Sequence, residues 1–282
     1  MDTTSPPVSS KEKADTPPGS LNQLTRHITL AGIAGVATGV IVGGLGGRLF
    51  MRIAGATASE SAQGRTTEAG FQVGEITAGG TLGLVIFIGI LAGLIGAVLY
   101  VVFRSWLHWT GRWRGVAFGV VLFAVGSATS SVLDPGNIDF VILGNSLFLV
   151  LMIFALFLAF GVMIDWAYAI LDRRLPIGDE TQRGTRFLYG ALALLGLLVA
   201  TGPVFSGMLM NSRSFCDCDQ PILVSVFVSV TTIGTLLWWM SGLSSRVNRL
   251  ETAGRILGFT GLAGATFFGL IRAISDAVEV IS

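Results

Sequence analysis

The residues best equipped for chemistry in this chain are a few arginines, carboxylates and two cysteines. Arg48 and Arg52 stand four apart, directly after the uncharged stretch GVATGVIVGGLGG. Arg272 precedes Asp276 by four, which places the two on one helix face within pairing reach. Set against Glu75, Asp134, Asp139 and Asp276, these three arginines would form a charge network able to hold an anion. The alternative is that each guanidinium simply reaches out to lipid headgroups. Cys216 and Cys218, in FCDCDQ, are the only cysteines. A bond across one intervening residue closes a small strained ring, which suits a redox or intersubunit pair. A metal there would need more ligands than Asp217 and Asp219 supply, and no histidine is near in the sequence.

Bond-breaking chemistry has no motif to stand on. The two histidines, His27 and His108, are far apart. No His-Glu-x-x-His pair offers zinc ligands, and no Walker lysine follows a glycine-rich turn. No serine has a histidine within a span to act as its base. The sequence therefore implies no catalytic residue, no cofactor, no metal and no nucleic-acid partner. An interfacial activity using Arg and Asp is the one enzymatic route left open.

The elements that must position these side chains follow from composition. The 282 residues are 52% hydrophobic and 12% charged, against about 25% charged in soluble domains. Mean hydropathy is +0.74. Several apolar runs have about 20 residues, the length of helix that crosses a hydrocarbon layer of about 30 Å. Spans must be helical, because a helix satisfies its own backbone groups in lipid. The expectation is an all-α, polytopic transmembrane bundle of about seven helices. They fall near 28–47 (extending towards 55), 81–103, 115–133, 141–167, 187–210, 222–242 and 256–275. Residues 1–26, with Pro6-Pro7, Pro17-Pro18 and scattered Ser and Thr, read as a disordered cytoplasmic tail. Residues 27–282 form the transmembrane domain. Pro203 predicts a kink in the fifth helix.

Basic residues set the orientation. With the N-terminus in the cytoplasm, thirteen face inward: Lys11, Lys13, Arg26, Arg104, Arg112, Arg114, Arg173, Arg174, Arg183, Arg186, Arg246, Arg249 and Arg255. Arg48, Arg52, Arg65, Arg213 and Arg272 remain outside, which gives an N-in, C-out chain. All six tryptophans and all three tyrosines fall at the inner edges, where an interfacial belt is the simplest reading. Asp165 is expected to reach the same interface. The segment around Trp106, Trp109 and Trp113 is expected to lie flat in it.

Glycine spacing predicts packing. Ala31, Gly35, Gly39, Gly43 and Gly47 make one small-residue stripe, and Gly261, Ala265, Gly269 and Ala273 make another; Gly89 and Gly93 form a shorter one. Between lipid-facing helices, close backbone approach replaces the hydrophobic effect as the driving force. The first helix is therefore expected against the second or the seventh, and a glycine-rich face is also a route to a homo-oligomer. Ser127, Thr129, Ser130 and Ser131 are expected to bond a neighbouring helix.

The stretches GGRLFMRIAG, TEAGFQVGEITAGGT and DPGNIDFVILG resemble those of uncharacterised multi-pass membrane proteins of high-GC bacteria, over roughly residues 30–165. That resemblance implies a bacterial plasma-membrane location and brings no assigned activity. The function expected is structural or accessory. The alternative is a small-solute or ion transporter with an outward-facing charged vestibule.

Overall fold

A computed structural model describes residues 20–57, 82–83, 89–133, 140, 146–175, 221–243 and 248–281. The predicted helix at 187–210, Pro203, Glu75, Asp134, Asp139, Cys216 and Cys218 lie outside the described residues. Among those described, regular structure is entirely helical. Helix α1 (Leu21–Thr38) runs through a π-helical segment (Gly39–Gly46) into α2 (Gly47–Thr57) as one continuous rod. Then come α3 (Gly93–Arg104), α4 (Arg114–Thr129), α5 (Ser146–Arg174), α6 (Pro221–Leu243) and α7 (Asn248–Ile281). Four helices are long and apolar enough to cross a membrane: Gln23–Thr57, Ser146–Arg174, Leu223–Gly242 and Arg249–Ile281. Gly89–Arg104 is a shorter apolar helix.

Large apolar side chains stand exposed along the described helices. Leu151, Val162, Ile233, Leu236, Phe267 and Ile274 are all exposed. A water-facing patch of this kind would drive association, whereas a hydrocarbon solvent accepts it. The chain is thus a bundle built for lipid. At 1.5 Å per residue α5 is roughly 43 Å long, well beyond a hydrocarbon layer of about 30 Å.

Ser20 caps α1, accepting from the Gln23 amide. The helix thus starts at Leu21, inside the segment expected as tail, and carries Arg26 into the bundle. The glycine stripe of α1 closes on α3 and the turn before it, which together are the second predicted helix and not the seventh. A methyl at Gly39 would fall on the Gly89 carbonyl, and one at Gly93 would lie 2.5 Å from the Gly35 carbonyl oxygen. No side chain, even that of alanine, fits between backbones this close. The residues 89–92 are also π-helical, so two wide turns face each other at the contact. The seventh predicted helix, α7, divides its small residues. Gly261 meets Thr231 and Phe227 on α6, while Gly269 meets Ala124 on α4.

Two further glycine contacts complete the bundle. Gly161 on α5 meets Gly115 and Gly119 on α4, and Gly234 on α6 meets Gly254 and Gly258 on α7. Between α3 and α4 the chain turns through a short 3-10 segment, His108–Trp113. Gly111 adopts φ 57° there, a left-handed conformation that costs a glycine little. The hydroxyls of Ser127, Thr129 and Ser130 correct one expectation. Each bonds a carbonyl one turn back on its own chain, at 2.7, 2.7 and 2.5 Å. An internal acceptor is always within reach in a helix, and a neighbouring one is not.

Candidate functional site at the arginine-rich end

The polar residues that come together most closely are at the end of the bundle where α1 begins and α3 and α5 finish. Helix spacing puts them there. Asp165, Tyr168 and Asp172 recur at i, i+3 and i+7 on α5, and Tyr100 and Arg104 at i, i+4 on α3, so each set shares a face. Arg26 and His27 come from the first turns of α1, and Arg114 opens α4.

Asp165 is the first node. Arg114 Nε donates to its Oδ1 at 2.6 Å, and the Tyr100 hydroxyl donates to the same oxygen at 2.5 Å. About a fifth of each charged side chain remains exposed. Tyr100 itself is fully buried, edge-on to Phe118 and 5.6 Å from the Tyr168 ring centroid. Tyr168 is the second node and is also buried. Arg104 lies 4.1 Å from its centroid, a cation–π distance, and Nη1 donates to its oxygen at 3.2 Å. His27 Nδ1 bonds the same oxygen, its ring stacked on the tyrosine at 12°. Arg104 can only donate, so the tyrosine oxygen accepts from it and shares a second hydrogen bond with His27 Nδ1.

Arg26 is the third node and is 8% exposed. Nη1 donates to Asp172 Oδ1 at 2.6 Å, while Nη2 donates to the carbonyls of Asp172 and Leu175 at 2.9 and 2.6 Å. Those carbonyls are at the C-terminus of α5, where orphan acceptors and the helix dipole favour a cation. Three helices are thereby tied to the end of a fourth. The balance of charge is uneven. Asp165 pairs with Arg114 and Asp172 with Arg26, while Arg104 makes no ion pair with a described carboxylate. The Nε atoms of Arg26 and Arg104 are buried with no hydrogen-bond partner.

Asp165, Tyr100 and Tyr168 correct the interfacial reading of these residues. They turn inward because a carboxylate or phenol without a partner among apolar helices costs more than one held by partners. The tryptophans divide for the same reason. Trp109, Trp113 and Trp166 are exposed, as a belt requires. Trp106 is buried between Trp238 and Phe259 and donates its indole proton to Thr235 Oγ1 at 2.8 Å. Its ring occupies the space left by Gly258, where a methyl would strike it. Trp238 is buried too. The expected flat segment thus keeps only Trp109 and Trp113 at the surface.

At the opposite end, Arg272 Nε pairs with Asp276 Oδ1 at 3.0 Å, and Asp276 is nearly enclosed. Arg48 has a buried Nη2 with no hydrogen-bond partner, and Arg52 is exposed. Neither pairs with a described carboxylate. Among the described residues no three His, Cys, Asp or Glu converge on a metal position. Among the described residues the arginine-rich cluster ties α1, α3 and α4 to α5 by ion pairs and hydrogen bonds. Its signal in the sequence was the i, i+3, i+7 spacing of Asp165, Tyr168 and Asp172. No protein-family model, no curated protein and no solved structure matches the chain.

Proposed function

We propose that this chain is a bacterial plasma-membrane protein of seven crossings, N-terminus inside and C-terminus outside, whose role is structural or accessory. The observation that carries the reading is the closure of the bundle by its glycines. Methyls at Gly35, Gly39, Gly115, Gly161, Gly234, Gly261 and Gly269 would each collide with a neighbouring helix. These glycines therefore pack, and do not line a passage for a solute. The arginine-rich end supports the orientation. Arg26, Arg104, Arg112, Arg114, Arg173, Arg174, Arg249 and Arg255 stand there against Asp165, Asp172 and Glu251 among the described residues. The far end has Arg48, Arg52 and Arg272 against Asp276 and Glu279. Self-association, where it occurs, uses faces other than these internal glycine contacts.

One observation favours the second reading, a transporter with an outer charged vestibule: the buried, unpartnered Nη2 of Arg48. Proteoliposomes separate the two. The structural reading expects no protein-dependent flux of protons, potassium, chloride or phosphate under an imposed gradient. It also expects the Arg48→Ala, Arg52→Ala double variant to assemble poorly. A flux that this variant abolishes at unchanged membrane level would replace the structural reading with the transporter.

A further inference from the structure

We propose that Arg104, beside His27 and Tyr168, binds the phosphate group of an anionic lipid headgroup. The inference rests on the bilayer reading and on the placing of this end at headgroup level. It does not depend on whether anything is transported.

The site is a surplus positive charge held in place. Both carboxylates of the cluster are already engaged, Asp165 by Arg114 and Tyr100, Asp172 by Arg26. Among the described residues Arg104 contacts a tyrosine oxygen and a ring face. Its side chain is partly exposed and among the described residues Nη1 bonds just the Tyr168 oxygen, and the guanidinium fork matches phosphate oxygens. His27 bonds the same tyrosine oxygen through Nδ1 and so stands beside Arg104. Arg104 and His27 are both partly exposed, so an anion has access. Exposed Trp109, Trp113 and Trp166 mark the same end as interfacial. Basic pockets between spans at this depth suit anionic headgroups. A soluble phosphate shares the recognising chemistry but lacks acyl chains to lie against the apolar flanks of α3 and α5.

The test is native mass spectrometry of the delipidated full-length protein in detergent. It is titrated with phosphatidylglycerol or phosphatidylcholine, with inorganic phosphate and glycerol 3-phosphate as soluble competitors. The wild type should hold phosphatidylglycerol at least about tenfold more tightly than phosphatidylcholine, whose phosphate is offset by a choline cation that the arginine-rich end repels. Arg104→Gln should erase the preference. Arg112→Gln, which alters an exposed arginine stacked only on Trp113, should keep it. Should Arg104→Gln fail to fold, Arg104→Lys keeps the charge but loses the fork, and the preference should fall about threefold or more. Equal affinity of the wild type for the two lipids would overturn the proposal, as would a preference that survives Arg104→Gln. Displacement of the lipid by micromolar phosphate would reassign the site to a soluble ligand. A failed lipid preference with the chain still requiring detergent for extraction would leave the bilayer reading standing.

Discussion

Single residues in this protein are held by the cost of leaving charge without a partner in a poor solvent. Asp165 is the clearest case, with one oxygen taking both Arg114 Nε and the Tyr100 hydroxyl. Removing one member of a buried pair costs ~3–5 kcal/mol, and an exposed pair is worth ~0–1 kcal/mol. With a fifth of each side chain exposed, Asp165→Asn should destabilise by about 2 kcal/mol. Thermal unfolding in detergent measures this, and a change under about 0.5 kcal/mol would show the pair to be idle. Adding Arg114→Gln should cost less than the two single changes together, because the second removes the charge that the first stranded. Trp106 makes the neutral counterpart. Thr235→Val removes the acceptor of a buried indole N–H and should cost about 1–2 kcal/mol, read by the same melt.

Helices associate here through backbones brought into contact, so glycine positions differ sharply in tolerance. Gly39 and Gly93 face each other across α1 and α3, and a methyl on either meets main chain that cannot swing aside. Gly39→Ala should destabilise by about 1–3 kcal/mol, the cost of overpacking a filled interface. Gly32, on the same helix, has nothing within 4 Å of the position its methyl would take. Gly32→Ala should be neutral or raise stability by up to about 1 kcal/mol through helix propensity alone. Equal melting temperatures for the two variants would remove the glycine contact as the source of α1–α3 packing. The stripe itself was legible in the sequence, since a spacing of four repeats on a helix. Its partner was not. Gly89–Gly93 and the Gly261 stripe offer equal invitations, and the tertiary contacts alone show that α1 meets the first.

The whole molecule is an apolar-surfaced bundle with one cation-rich end. The proposed orientation makes a direct expectation. A reporter active only in the cytoplasm should work when fused to the N-terminus and fail at the C-terminus, and a C-terminal fusion active inside would reverse the layout. With the same orientation, Cys216 and Cys218 should react with a membrane-impermeant maleimide added to whole cells after mild reduction. Protection from that reagent until the membrane is opened would place them on the inner side.

Composition and the length of the apolar runs by themselves determined the solvent and the helical class, because hydrocarbon admits few chain conformations and a long uncharged run can satisfy itself in only one of them. Glycine periodicity determined which face of α1 would be close-packed. The tertiary structure decided the rest. Tyr100 and Tyr168 look like interfacial aromatics when read singly, and Arg26 looks like a tail charge. They become a network only when α1, α3, α4 and α5 bring their ends to one place. A local pattern shows where a side chain sits along its own helix. Whether it meets lipid, headgroup or a counter-charge depends on which other helix arrives beside it.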